Sequence, residues 1–198
     1  CDNNIGDGLS ELRLAGDGSM ACPLIRHPIR GIEPGAMDDL EGLTQTTVGG
    51  SRYLFASPSF SLKRRKGRHK KKSRRGKPTD ARSCLLRVRI GENTATEAEV
   101  LSGFREWLVE HAPELEKASR RLPDDGGLNI EGLADTADGQ LLIGFRNPVR
   151  EGKALVVTLH NPQQMSADGT ATFGPPIGLD LGGRGVRALE RLDKGYLV

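Results

Sequence analysis

Residues 128–148, LNIEGLADTADGQLLIGFRNP, decide the fold, because weaker copies of this stretch lie on both sides of it. Upstream, Asp39-Leu40-Glu41-Gly42-Leu43 matches Asn129-Ile130-Glu131-Gly132-Leu133, and Arg52-Tyr53-Leu54-Phe55-Ala56-Ser57-Pro58 echoes Gln140-Leu141-Leu142-Ile143-Gly144 after a slightly longer turn. Downstream, Val186-Arg187-Ala188-Leu189 falls on Ile130-Glu131-Gly132-Leu133, and Gly195-Tyr196-Leu197-Val198 falls without a gap on Gly139-Gln140-Leu141-Leu142. In each copy a glycine-bearing turn sits between short apolar runs, which is the pattern of a β-hairpin. The spacing from one copy to the next leaves room for about four short strands, the repeat unit of a β-propeller. A sheet of that size leaves its two faces uncovered, and neighbours stacked around an axis cover them.

The expected fold is therefore all-β: a β-propeller-like fragment of about three to four blades with a short helical insertion. It forms a single partial domain over residues 1–198. Closing a ring takes about four to eight blades, so missing blades are expected outside this chain, chiefly beyond Val198. The sequence opens on Cys1 and stops inside an expected strand, and it reads as a fragment of a longer chain. Cytoplasmic, periplasmic and secreted locations all stay open.

Outward from the central copy, further elements follow from periodicity. Leu12 and Leu14 alternate with Glu11 and Arg13, which predicts a half-buried strand before the Gly16-Asp17-Gly18 turn. Pro23, Pro28 and Pro34 make an irregular connection in which Leu24-Ile25 pairs briefly with a neighbour. Strands are expected near residues 40–44 and 52–57, joined across Gly49-Gly50, and again over 83–90. Val100, Phe104, Trp107 and Leu108 recur at helical spacing, with Leu115 and Leu122 continuing it, so residues 96–122 are expected to hold one or two helices. Lys153-Ala154-Leu155-Val156-Val157-Thr158-Leu159 and Ala171-Thr172-Phe173 supply the third and fourth strands after the central hairpin.

The formal charge of +3 conceals an asymmetry. Of the 29 Lys and Arg, 11 lie in one run: Lys63, Arg64, Arg65, Lys66, Arg68, Lys70, Lys71, Lys72, Arg74, Arg75 and Lys77. The remainder of the chain is acidic. A run this dense repels itself and resists burial, so it is expected to be a long solvated loop that either contacts a polyanion through counterion release or serves no partner. No aromatic residue interrupts it, which argues against stacking on single-stranded bases. Cys1, Cys22 and Cys84 are widely spaced without a C-x-x-C pair, so free thiols are expected. The four His residues lack zinc-protease spacing, and no G-x-S-x-G elbow occurs. No apolar run is long enough to cross a bilayer.

The motifs Gly127-Leu128-Asn129-Ile130-Glu131-Gly132-Leu133-Ala134, Leu142-Ile143-Gly144-Phe145-Arg146-Asn147-Pro148, Gly152-Lys153-Ala154 and Gly185-Val186-Arg187-Ala188-Leu189-Glu190 resemble a widespread bacterial family known only as a domain of unknown function. The resemblance takes in most of the chain, since the Cys1-Asp2 opening, the first Glu-Gly-Leu strand and the basic run fall in the same order. It implies a β-propeller-like fold with a helical insertion. Phytase-like esterase and strictosidine-synthase-like propellers, which carry Glu-Gly-Leu or Glu-Gly-Ile at blade starts, are more faintly similar. The family implies no substrate, so a site has to be argued from the residues.

Aligned as copies, Glu41, Glu131 and Arg187 occupy one position on three neighbouring blades. Early residues of inner propeller strands face the central channel. There Glu41 and Glu131 are candidate catalytic carboxylates that activate water for ester or phosphoester hydrolysis, and Arg187 is a candidate holder of a small anionic or phosphorylated ligand. Asp39, Glu41 and Glu131 form a tentative Ca²⁺ site, with Asn129 offering a further oxygen two residues before Glu131. Arg146 ends the second strand and either binds the ligand or pairs with Glu131. The same residues equally suit a structural ion pair that stitches blades together. Gly42 and Gly132 are expected to permit close packing of blades, and Asn147-Pro148 to make a turn. The alternative to a channel site is a non-enzymatic scaffold whose partner is met by the basic loop.

Overall fold

The computed structural model describes residues 8–23, 25–28, 31–33, 35–64, 76–91, 95–165 and 170–198. The chain is mostly antiparallel β. β1 (Gly8–Glu11) pairs with β2 (Ile25–Pro28), and Leu14 bridges to Met20. The expectation of a half-buried strand through Leu12 and Leu14 is overturned: both side chains are more than half exposed, so their alternation faces solvent on either side.

The first four-stranded sheet is an up-and-down meander. β3 (Leu40–Val48) and β4 (Ser51–Pro58) meet across Gly49-Gly50, both with positive φ, which matches the right-handed twist of a two-residue hairpin. A two-residue ladder, β5 (Lys63–Arg64) with β6 (Gly76–Lys77), then closes the base of the basic segment. β7 (Leu85–Ile90) pairs with β4, and β8 (Ala95–Leu101) pairs with β7. The second meander is β9 (Asn129–Asp135), β10 (Leu141–Arg150), β11 (Lys153–Leu159) and β12 (Ile177–Leu179). A final hairpin joins β13 (Glu190–Leu192) to β14 (Gly195–Leu197).

Four expectations need correction. Residues 96–101 belong to β8: the helical period starts only at α1 (Phe104–His111), after Gly103 turns the chain with φ 76°. α2 (Glu116–Ser119) is a single turn. The fourth strand of the second sheet is Ile177–Leu179, paired with Ala154, Leu155 and Val156, whereas Phe173 makes one bridge to Leu159. Asn147-Pro148 lies inside β10, where Asn147 sits opposite Asn129, and its peptide bond is cis. Residues 186–189 belong to no strand, and strand pairing begins at Glu190.

The main core lies between the two meanders and the helices. Phe55, Phe60, Leu85, Leu101, Phe104 and Leu108 meet Ile130, Leu141, Ile143 and Phe145 there, all at most 1% exposed. At about 25 cal/mol per Å² of apolar surface, each such side chain contributes roughly 1.5–3 kcal/mol on burial. Trp107 packs on this core as the helical stripe requires. Arg105 is buried and donates from Nε to the Phe60 carbonyl at 3.0 Å and from Nη2 to the Ser119 carbonyl at 2.6 Å, so the helical segment is tied to the end of the first sheet. Burial holds its pKa below the usual arginine value.

β3 and β9, the first strands of the two meanders, pack on one another. A Cβ added to Gly42 would lie 2.8 Å from the Leu133 Cβ, so glycine is what lets them approach. β9 meets the 185–192 segment in the same way: a Cβ on Gly132 would lie 2.7 Å from Val186 Cγ1 and 3.1 Å from the Leu189 Cβ.

Candidate functional site

The centre of the site is Glu131, on β9 between buried Ile130 and Leu133. Its side chain is 10% exposed and carries two guanidinium groups. Arg146 donates from Nη1 to Oε1 at 2.8 Å. Arg187 donates from Nη1 to both oxygens, at 3.0 and 2.7 Å. Asn129 adds a longer contact from Nδ2 to Oε1 at 3.3 Å, while its Oδ1 is buried without a partner among the described residues.

Local backbone geometry aims both arginines. The β9–β10 register shifts on each side of Phe145, so Arg146 falls in a bulge, where a strand re-aims a side chain. Arg187 follows Val186, whose N–H donates to the Phe145 carbonyl at 2.9 Å. Gly185 lies against the Arg146 carbonyl so closely that an added Cβ would sit 1.9 Å from the oxygen, and only glycine fits there. The sequence thus places both guanidinium groups over one carboxylate. They remain 45% and 66% exposed, respectively.

Glu41 is the other carboxylate. It is exposed and has no ion-pair partner among the described residues, yet the protein around it raises its pKa from the ordinary 4.5. Desolvation is the largest cause, followed by the negative fields of Asp39 and Glu131, and Arg146 and Arg187 offset part of this. Glu41, Glu131, Arg146 and Arg187 therefore lie within electrostatic reach of one another.

Asp39 is within the same electrostatic reach of Glu41, but its hydrogen bonds go elsewhere. It adopts φ 65°, and its Oδ2 accepts from Ser59 Oγ at 2.5 Å, from Ser61 Oγ at 3.3 Å and from Arg82 Nη1 at 3.0 Å. Arg82 also reaches Asp38 Oδ2 at 3.0 Å, where Lys63 Nζ arrives at 2.7 Å. The hydrogen bond from Lys63, then Arg82, holds the Asp38 carboxyl below its ordinary range against a partial desolvation. Among the described residues no group of three or more His, Cys, Asp or Glu is placed to hold a metal ion. The Ca²⁺ site expected of Asp39, Glu41 and Glu131 is thus not assembled: Asp39 is committed to the serines and Arg82, and Glu131 to two arginines.

Two groups were missed from sequence. One is the Ser59-Ser61-Arg82 network, for which the serine alternation at 57, 59 and 61 is a signal. The other is Asp135, whose side chain is 9% exposed and whose Oδ1 accepts from Arg191 Nε at 2.9 Å. Asp135 and Arg191 stand four residues after Glu131 and Arg187, so a strand-spaced copy alignment predicts that pair.

Of the basic segment, Lys63, Arg64 and Lys77 are described; Lys63 pairs with Asp38 and Arg64 with Asp124. The candidates Arg65, Lys66, Arg68, Lys70, Lys71, Lys72, Arg74 and Arg75 lie outside the described residues. Cys22 and Cys84 are free thiols, and burial pushes the Cys84 pKa up to about 11. Among the described residues no helix is long and apolar enough to cross a membrane.

The architecture is that of a mostly β protein made of antiparallel meander sheets with a short helical insertion. A family model described as "Protein of unknown function (DUF3616)" matches residues 108–198. The match includes β9 to β14 with Glu131, Arg146 and Arg187. It leaves out the first meander and the basic segment, a narrower span than the sequence motifs suggest. No curated protein and no solved structure is matched.

Proposed function

We propose that residues 1–198 form one partial β-propeller domain whose inner strands, β3, β9 and the 186–192 segment, are three copies of one repeat, and that it binds a small anionic ligand where their first residues converge. The observation that carries the binding site is the Glu131 platform, one nearly buried carboxylate holding two guanidinium groups that stay open to solvent. Each arginine uses only Nη1 on Glu131, and a guanidinium has five N–H donors in a planar fork suited to carboxylate or phosphate oxygens. Two cations on one anion leave one positive charge, which the nearby Glu41 carboxylate offsets for as long as it is ionised. The repeat is supported by Gly42 against Leu133 and Gly132 against Leu189, which are the same two positions of the motif in each pairing.

Glu41 tunes this site. As an anion it repels the ligand, and its raised pKa means that it takes up a proton at a higher pH than a free glutamate. Binding then strengthens as pH falls through the Glu41 range. The test is calorimetric titration with inorganic phosphate and with citrate. Affinity should fall at least about tenfold in the Arg146→Ala/Arg187→Ala variant, the size of two lost charge-assisted contacts. Glu41→Gln should flatten the acid side of the pH profile. Absence of binding by the parent protein, or unchanged affinity in the double variant, overturns the proposal.

A second reading, a scaffold that meets polyanions through the basic run, is favoured by the β5–β6 ladder, which sets the two ends of the run side by side. Deleting residues 65–75 should flatten the salt dependence of heparin or duplex binding. Retention of the full salt slope after deletion removes this reading.

A further inference from the structure

The Glu131 platform has a side that neither arginine uses. Asn129 is 6% exposed, and its amide lies against the platform, with Nδ2 donating to Glu131 Oε1 at 3.3 Å. A carboxylate only accepts, so the amide nitrogen faces it and the amide oxygen is held on the other side. That oxygen, Oδ1, is buried and meets no donor among the described residues. A buried acceptor left unpaired gives up its water and gains nothing from the chain in return.

The first copy of the motif shows what this position asks for. Asp39 and Asn129 hold one place in it. They are also linked through one residue: the Ser59 N–H donates to the Asp39 carbonyl at 2.9 Å, and the Ile130 N–H donates to the Ser59 carbonyl at 2.9 Å. At Asp39 the chain supplies the donors, since Ser59 Oγ at 2.5 Å, Ser61 Oγ at 3.3 Å and Arg82 Nη1 at 3.0 Å all reach Oδ2. At Asn129 Oδ1 the described residues supply none. The two places differ in where the hydrogen has to come from.

We infer that the ligand held by Arg146 and Arg187 is an oxyanion carrying its own O–H group, and that this O–H donates to Asn129 Oδ1. The inference rests on the anion site proposed above and adds the class of its ligand. Arginine offers donors alone and so engages the acceptor oxygens of a ligand, whereas an amide oxygen is an acceptor alone and engages a proton. A protonated phosphate and a hydroxy acid satisfy both halves; sulfate and a plain carboxylate satisfy only the arginines. Oδ1 is covered as the chain stands, so a neighbour turns aside when the ligand enters. Arg146 is that neighbour: it is 45% exposed, it holds Glu131 through Nη1 alone, and the next residue, Asn147, lies opposite Asn129 in the β9–β10 ladder.

The test is calorimetric titration with two pairs of anions matched in shape, phosphate against sulfate at mildly acid pH and glycolate against acetate. A site that responds to charge alone prefers the sulfate dianion to the dihydrogen phosphate monoanion and treats glycolate and acetate alike. A site that needs the O–H prefers phosphate, glycolate or both, by at least about tenfold, because the partner anion leaves a buried polar group unpaired. A preference confined to the phosphate pair puts the O–H on the oxyanion itself, and one confined to the glycolate pair puts it on the adjoining carbon. Asn129→Ala removes the oxygen and should abolish the preference while the arginines still bind. Asn129→Asp keeps an oxygen in place and adds a charge, so every anion should bind more weakly and the preference should remain.

A parent protein that binds phosphate no better than sulfate and glycolate no better than acetate overturns the inference and leaves the anion site standing. A preference that survives in Asn129→Ala overturns it as well, because the charge of Glu41 or another group then makes the choice. Loss of the preference in both Asn129 variants does the same, since it traces the effect to Nδ2 on Glu131 and not to Oδ1. Failure to bind any of the four anions removes the anion site, and this inference with it.

Discussion

The contact of β3 with β9 and the contact of β9 with residues 185–192 are packed alike and charged differently. In both, a glycine accepts a leucine from the adjacent segment. In the first, the carboxylates of Glu41 and Glu131 face one another's fields, and Glu41 is pushed up in pKa. In the second, Glu131 and Asp135 each meet an arginine, Arg187 and Arg191. Shape can thus be kept while charge is varied, and the chemistry of the site resides in the variation. Packing that recurs serves cohesion, and the charges that differ set the two contacts apart.

The most damaging substitution beside the second contact is at Gly185, which seats the 185–192 segment on β10. Its added Cβ would lie 1.9 Å from the Arg146 carbonyl, and a backbone oxygen cannot move aside as a side-chain tip can. Gly185→Ala should destabilise the protein by about 3 kcal/mol in urea denaturation. Gly42→Ala meets the Leu133 Cβ at 2.8 Å and should cost less, about 1–2 kcal/mol. An equal cost for the two would mean that Gly185 fits no more tightly on β10 than Gly42 does on β9.

Next in size is Glu131→Gln. It retains volume but removes the charge that holds Arg146 and Arg187, so both guanidinium groups lose their shared anchor. Because the arginines are 45% and 66% exposed, water recovers much of the loss. A destabilisation of about 1–2 kcal/mol is expected. The variant should also weaken phosphate binding, since the two cations are no longer held together. Tighter phosphate binding in Glu131→Gln would show that the carboxylate competes with the ligand more than it positions the arginines.

Much of this was legible in the sequence, and the failures have physical causes. Glycine turns and alternation locate β4, β9, β10 and β11, because those strands bury apolar side chains against a core, whereas β3 is located by its copy of the motif and buries only Gly42 and Thr46. Copy alignment sets Glu131 and Arg187 at one position of the repeat, and the two side chains meet. Residues 96–101 carry a false helical period because Val100, Phe104 and Leu108 all face apolar clusters, and a strand that runs into a helix across Gly103 imitates that period. Leu12 and Leu14 alternate with polar residues but cover nothing, so alternation alone did not decide burial. Asp39 finds its hydrogen bonds outside the repeat cluster. A positive φ turns its side chain to Ser59, Ser61 and Arg82, and strand spacing carries no information about that turn.

The smallest effect sharpens the comparison most, because it acts on charge without touching shape. The pKa of Glu41 is raised in the folded protein, so a carboxyl there is favoured over a carboxylate. For a raised pKa, the stabilising contribution is complete below the unfolded value and is lost as pH rises through the folded value. Ionised Glu41 therefore disfavours the native state at neutral pH, and Glu41→Gln should stabilise the protein at pH 7. The gain is small, since the side chain is exposed and solvent screens it. It should shrink as pH falls through the raised Glu41 range and vanish below about 4, where the carboxyl is neutral in both states. Thermal melting of parent and variant between pH 3 and 7 reads this directly. Asp38 supplies the opposite sign: its lowered pKa stabilises the native state above the unfolded value, and that contribution is lost as pH falls through the folded one. Asp38→Asn should therefore melt lower than the parent at pH 7 and converge with it in acid. If Glu41→Gln instead lowers the melting point at pH 7, Glu41 has an ion-pair role, and the two contacts differ less in charge than their geometry implies.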